Sequence, residues 1–320
     1  MKSSPTAATA IAVFAFRRPD LLEQTLQSLE TADRFSDFPV HVFSDGARLD
    51  VPGETDAVES VREFLRPWCR THNAELVESP ANLGLRRSIT GGITNLLSRY
   101  HRVIVVEDDL ALSPSFLVFM SEALEALKDR EDILQVSGYF VPHTSTLTPV
   151  GLLRTPGSWG WGTWRRAWIH YNDNADELLA AVLVRDPKAF DLNGSYAFLD
   201  ALRHNAEGKL DTWAVRWYAS MFLRRGLALY PAQSLTRNIG FGEDATNCAP
   251  SATAGTFMSQ PLAGLPQPVD WENIGGLETR EYAEVLEQFY RWQQAEWAKP
   301  TWRERLEARL QFLVRGGASD

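Results

Sequence analysis

Three acids, Glu107, Asp108 and Asp109, stand side by side directly after the apolar run 103–106. A buried strand of a parallel sheet delivers its C-terminal end to a ligand crevice, and three carboxylates crowded there repel one another unless a cation or hydrogen-bond donors compensate. A hard divalent ion such as Mg2+ or Mn2+, held through oxygen, is a natural compensator. A solvated acidic turn is the plainer alternative, and the short run VVEDDL does not by itself decide between them. A second carboxylate of interest is Asp211, which begins a helical pattern with Thr212 and Trp213. There it can cap the helix, take a proton from a hydroxyl group, or do both. A third feature is the glycine-rich stretch 157–168. In it Trp159 and Trp161 sit beside glycines, where backbone can approach a ligand closely, while Trp164 and Trp168 lie at helical spacing and read as core.

The strand that carries the acids needs neighbours, and the first half of the chain supplies them. Apolar runs alternate with amphipathic helical patterns, which implies a mostly parallel central sheet flanked by helices. Strands are expected at residues 10–16, 40–43, 74–77, 103–106 and 133–136. Pro19 can open the first helix, with Leu21, Leu22, Thr25, Leu26 and Leu29 recurring at helical spacing. A second helix is expected over 57–70, ended or kinked by Pro67. A third runs from the turn at 82–84 through Leu97, interrupted in composition by Gly91 and Gly92, and a fourth covers 114–127. The second half predicts a helix opened by Asp211-Thr212-Trp213 and ending at a C-cap near Arg225-Gly226, a short strand at 227–230 and a polar loop at 234–247. Residues 1–8 read as a disordered polar leader and 9–257 as one catalytic-type α/β domain, with halves at about 9–140 and 141–257. Residues 258–320 read as a Pro- and Gly-rich linker followed by C-terminal helices over 280–297 and 301–314.

Six stretches occur in the order found in one family: AFRRPD at 15–20, FSDG at 43–46, VVEDDL at 105–110, LLRTPGSWGWGTWRRAW at 152–168, DTWAVR at 211–216 and TRNIGFG at 236–242. Together they resemble the Golgi N-acetylglucosaminyltransferase I family and related bacterial sugar transferases, across about three quarters of the chain. The resemblance implies the GT-A nucleotide-diphospho-sugar transferase fold, a nucleotide-sugar donor with UDP-sugars favoured, and Mn2+ or Mg2+ as cofactor. It makes Asp109 the metal ligand and places Glu107 and Asp108 against the ribose and sugar of the donor. Ala15, Phe16 and Arg17 would line the base and diphosphate pocket, and Asp45 would meet the base. Asp211 matches the first acid of the family's WDDW-type motif, which makes it the general base of an inverting transfer, and Trp213 matches the motif's last Trp. The chain departs from that motif with Leu210 and Thr212 in place of Trp and the second acid, which bears on the acceptor. Indole faces suit the C–H patches of sugars, so Trp159 and Trp161 are expected beside the donor sugar or acceptor. Arg237 can neutralise the departing diphosphate or serve a structural ion pair. For Arg17 a solvated helix start, and for Asp45 a local side-chain cap, are the bland readings.

Composition narrows the rest. With 32 Lys and Arg against 41 Asp and Glu, the formal charge is -9, which argues against a nucleic-acid partner. Cys69 and Cys248 have no metal-type spacing, which suits a reducing, cytoplasmic setting. No apolar run is long enough to span a membrane, so a glycan or lipid-linked acceptor would be reached from solution. The arginine-flanked 301–314 helix is a peripheral element that packs on the core, the commoner fate of an amphipathic helix, or touches the inner membrane face. A sugar-1-phosphate nucleotidyltransferase is the alternative enzyme, although AFRRPD lacks the Gly-rich loop expected after its first strand. A dehydrogenase would need GxGxxG there. A non-catalytic carbohydrate-binding module on the same fold is the remaining alternative.

Overall fold

A computed structural model of the chain describes residues 8–241, 253–266 and 268–297. The apolar runs of the first half form the expected strands. These are β1 (Thr9–Ala15), β2 (Val40–Ser44), β3 (Glu75–Glu78) and β4 (Arg102–Glu107). Between them lie α1 (Pro19–Glu30), α2 (Glu54–His72) and α3 (Gly84–Arg99). β1 and β4 are buried on both faces, while β3, at the sheet edge, alternates exposed and half-buried residues. The chain continues through β5 (Leu110–Leu112), α4 (Phe116–Ala126), β6 (Ile133–Ser137), β7 (Val150–Leu153) and β8 (Trp161–Trp164), which runs into the single turn α5 (Arg165–Trp168). Then come α6 (Ala175–Arg185), α7 (Pro187–Phe190), α8 (Phe198–Ala206), α9 (Ala214–Leu223), β9 (Leu227–Pro231), β10 (Thr236–Asn238), α10 (Ala254–Met258) and α11 (Arg280–Trp297).

Eight strands make one sheet in the order β3-β2-β1-β4-β8-β6-β9-β7. β1 is parallel to β2 and β4, and β2 to β3. β8 runs antiparallel between β4 and β6, and β7 antiparallel on the far edge. The fold is therefore mixed α/β, with a large, mostly parallel sheet flanked by helices. Helices α6 to α9 enclose a smaller second core around Leu178, Phe190, Leu202 and Tyr218.

Several local expectations give way to tertiary contacts. Pro67 neither ends nor breaks α2, because Leu65, Trp68 and Cys69 on either side of it are buried in the core. α3 passes through Gly91 and Gly92 intact. A Cβ at Gly92 would lie 2.6 Å from the Phe14 ring, so the bare backbone lets the helix press onto β1. α9 stops where expected, near Arg225-Gly226, and the left-handed residue at that stop is Arg225, at φ 57°. The polar loop at 234–247 contains β10, since β5 offers it an edge: Asn238 pairs with Leu110 and Thr236 with Leu112.

The segment after α10 laces across the fold rather than hanging from it. Ser113 Oγ donates to the Ala263 carbonyl, Arg130 donates to the carbonyls of Ile274 and Gly275, and Trp271 packs 6.1 Å from Phe119. α11 forms as expected over 280–297 and covers the β7 edge, which would otherwise be open for pairing. Tyr282, Leu286 and Phe289 join the main core, and the Tyr282 hydroxyl donates to the Thr148 carbonyl at 2.8 Å. Residues 1–7 and the helix expected at 301–314 lie outside the described residues. Among the described residues no helix is long and apolar enough to cross a membrane.

Gly151 of β7 sits under α11, where a Cβ would lie 2.3 Å from the buried Tyr282 ring. Gly151→Ala should therefore displace the helix and lower stability by about 1–3 kcal/mol, the range for overpacked cores. A melting temperature equal to wild type by calorimetry would mean that α11 is not docked as described.

Candidate functional site

β1, β2 and β4 all end at the same side of the sheet, and a cavity of about 460 Å³ opens there. That volume lies within the range of small-molecule sites. Ala15 and Phe16 from the β1 end, Asp45 from the β2 end, and Glu107, Asp108 and Asp109 from the β4 end line it. Trp159 and Trp213 line it from the second half of the chain. Eight of the residues singled out from sequence are thus brought to one wall.

The acids are held by partners drawn from far along the chain. Asp108 accepts from the Phe16 amide at 3.0 Å and from Arg18 Nη2 at 3.1 Å, and the same Nη2 donates to Asp109 at 2.7 Å. The other terminal nitrogen of Arg18 donates to the Gly240 carbonyl at 3.2 Å. Asp108 and Asp109 are nearly buried, at 7% and 8% exposure, while Glu107 has no hydrogen-bond partner among the described residues. Gly240, carried in by β10, lies so close over Asp109 that a Cβ there would fall 2.2 Å from its Oδ2.

This crowding shows in the proton affinities. Burial, then the neighbouring charges of Asp109 and Asp108, push Glu107 well above the usual carboxylate range, with Arg18 pulling the other way. Burial and the Asp109 charge push Asp108 up to about 6, although Arg18 and the Phe16 amide favour its charged form. Burial also works against the charge on Arg18, but Asp108 and Asp109 more than offset it and hold the guanidinium protonated. One arginine leaves three carboxylates under-compensated.

Not every expected residue offers its side chain to the cavity. The carboxylate of Asp45 faces its own chain: Oδ1 accepts from the amides of Gly46 and Leu83, and Oδ2 from the Gly84 amide and Asn82 Nδ2. It thereby clasps the loop that starts α3 to the end of β2, with its acceptor positions filled. Arg17 turns from the cavity toward the buried Glu54, 3.5 Å away, which Arg48 also holds. Arg237 lies on β10 and donates to the Gln260 carbonyl at 3.4 Å, off the cavity wall. Trp161 is fully buried beneath the site, stacked on Trp213 at 4.9 Å, whereas Trp159 is on the wall.

Asp211 lines neither this cavity nor its neighbour, although Thr212 and Trp213 line both. It does not cap α9, whose N-cap is Trp213 without a side-chain bond. Its Oδ1 accepts from Arg86 at 2.5 Å and Arg216 at 3.4 Å, and both arginines also pair with Asp173. Its Oδ2 has no partner among the described residues.

Sequence reasoning missed Arg18, Arg48, Asn82, Tyr196 and Asn238, all on the cavity wall. For Arg18 a signal exists: the residue before a proline is driven out of the helical region, and Arg18 at φ -119°, ψ 78° indeed stays off α1. That turns it along the β1 end toward the acids.

Among the described residues no group of three or more His, Cys, Asp or Glu side chains is arranged to hold a metal. A Mg2+ or Mn2+ ion that draws its other ligands from substrate phosphates needs only one or two carboxylates. The Asp109 and Asp108 oxygens on the cavity wall fit that smaller donor set.

No protein-family model matches the sequence, and no curated protein matches it. Solved structures overlap it in part. One is a mannosyltransferase from Pyrobaculum calidifontis, in complex with GDP-Man and Mn2+: 12% identity, 68% of this chain and 69% of that one, TM-score 0.37. S. aureus TarS overlaps at 10% identity over 72% of this chain and 60% of the crystallised segment, TM-score 0.39. A cytidylyltransferase from Leptospira borgpetersenii overlaps at 9% identity over 53% of this chain and 64% of that one, TM-score 0.32.

Because Asp108 binds its proton more tightly folded than unfolded, it contributes most to stability below its unfolded pKa of about 3.9. That contribution declines as pH rises through about 6. With no divalent ion or ligand added, the melting temperature of Asp108→Asn should fall less than that of wild type between about pH 5 and 7.5. Parallel curves would show that the Asp108 charge costs the fold nothing.

Proposed function

We propose that the chain is a metal-dependent, inverting glycosyltransferase that moves a sugar from a nucleotide-diphospho-sugar, with UDP-sugars favoured, to a hydroxyl acceptor. The observation that carries this reading is the under-compensated acid cluster at the β4 end, facing a ligand-sized cavity at the head of a mostly parallel sheet. Such a cluster suits a ligand that brings both a cation and oxygens to bridge it.

Asp109, with Asp108 beside it, would hold Mg2+ or Mn2+, which when bound offsets the negative charge of a diphosphate leaving group. Phe16, backed by the Arg17 and Arg48 guanidiniums 5.9 and 5.8 Å from its ring, supplies an aromatic wall for the base. Asp45 acts by fixing the loop at 82–84. Glu107 and Asp108 would accept hydrogen bonds from ribose and sugar hydroxyls; a protonated Glu107 could also donate one. Arg18 keeps a positive charge on the wall where phosphate oxygens would lie.

The acceptor enters beside Thr212 and Trp213. Its hydroxyl oxygen bonds to the anomeric carbon as the bond from that carbon to the diphosphate oxygen breaks, and the bonding pair leaves with the diphosphate. In this reading the hydroxyl proton would pass to Oδ2 of Asp211, a residue that precedes the wall residue Thr212 but does not itself line either cavity, while Arg86 and Arg216 hold Oδ1. With Asp211 as the base and the acids of β4 assigned to donor and metal, the proposed reaction is a single displacement, which inverts the anomeric centre.

Screening nucleotide-sugars with and without Mn2+ by thermal shift tests the reading directly, since a ligand at 100 times its Kd stabilises by about 2.7 kcal/mol. Stabilisation should require the metal and disappear in Asp109→Ala. Stabilisation by nucleoside triphosphates but by no nucleotide-sugar would instead identify a nucleotidyltransferase. Asp211→Asn should keep donor affinity and lower turnover roughly 100-fold or more. Near wild-type turnover in that variant, or a product with the donor's anomeric configuration by NMR, would refute the proposed chemistry.

A further inference from the structure

A second cavity of about 320 Å³ adjoins the first. The two share Ser158, Trp159, Tyr196, Thr212, Trp213 and Ala214 as a common wall, so a group bound in one lies against a group bound in the other. Their chemistry is opposite. The first is lined by acids and arginines; among the described residues no charged side chain lines the second. Its walls are aromatic, and α11 closes it with Phe289 and Tyr290.

Of the five tyrosines that line it, two have hydroxyls committed to backbone carbonyls and one has a buried hydroxyl that is not. Tyr218 and Tyr230 donate their hydroxyls to the carbonyls of Phe190 and Thr155 and so present only ring faces. Tyr139, 9% exposed and edge-on to Trp159 at 4.6 Å, has a buried hydroxyl with no partner among the described residues. A buried hydroxyl without a partner is rare unless a ligand or water completes it.

Resting on the sugar-transfer reading above, we infer that this cavity is the acceptor site and that it selects an uncharged pyranoside. Aromatic faces stack on the C–H face of a sugar ring, and the Tyr139 hydroxyl donates to one of its oxygens. An acceptor bearing a carboxylate or phosphate would lose its hydration against walls with no charge to pair with it. The volume, at the low end of ligand sites, suits a single ring. α11 then does more than cover the sheet edge, because Phe289 and Tyr290 shape the acceptor specificity.

The test is saturation-transfer NMR of the full chain with UDP and Mn2+ present, comparing neutral methyl pyranosides, their 6-carboxylate counterparts and simple phenols. Neutral pyranosides should bind, the carboxylates at least about tenfold more weakly, a difference of about 1.4 kcal/mol, and phenols no better than the carboxylates. Tyr139→Phe removes only the unpartnered hydroxyl, so the melting temperature should hold while pyranoside affinity falls several-fold and UDP affinity stays within twofold. Phe289→Ala should weaken pyranosides further; should it fail to fold, Tyr139→Phe still decides. Carboxylates or phenols binding as well as neutral pyranosides, or no effect of Tyr139→Phe, would overturn the acceptor assignment alone. If the first cavity binds neither UDP nor any nucleotide-sugar, the transferase reading fails and this inference with it.

Discussion

Three carboxylates at the end of one buried strand set the terms for the head of this fold. Their mutual repulsion and desolvation cannot be relieved locally, because the residues before them, Val103 to Val106, are fully buried and apolar. Relief comes from elsewhere in the chain. Arg18 crosses from the β1 end to pair with Asp108 and Asp109, the Phe16 amide adds a hydrogen bond, and β10 brings the Gly240 backbone over Asp109. The compensation is incomplete, since one guanidinium faces three carboxylates and Glu107 has no hydrogen-bond partner among the described residues.

The second half of the chain answers a different constraint. β7 and β10 are short strands that need cover, and the C-terminal path supplies it: Gln260 meets Arg237 of β10, residues 271–275 pack beside α4, and α11 docks on β7. The same cover builds an aromatic chamber beside the charged one. Charge is concentrated in the lining of the first cavity and, among the described residues, absent from the lining of the second, with Trp159 and Trp213 common to both. Off both walls, Asp211 joins a network with Arg86, Asp173 and Arg216, which ties α3 of the first half to α9 of the second.

Much of this was legible in the chain itself, because it depends on short-range pattern. Strands buried on both faces need continuous apolar runs, and helices need periodic ones, so β1, β2, β4 and β6 and helices α1, α3, α4 and α11 follow from local spacing. The carboxylate cluster was equally plain, since adjacency in sequence at a strand end is adjacency in space. What only the tertiary structure decided are the partners. Arg17 and Arg18 are indistinguishable as letters, yet Glu54 takes one and the acids of β4 take the other. Trp159 and Trp161 sit alike beside glycines, but Gly160 in the left-handed region, at φ 72°, lets Trp159 stay on the cavity wall while β8 carries Trp161 into the core. Asp45 reads as a ligand contact until the α3 loop closes on it and fills its acceptor positions. Each of these outcomes turns on contacts between residues tens of positions apart. Local sequence records how a segment can fold, but it does not record which distant charge or ring will meet it.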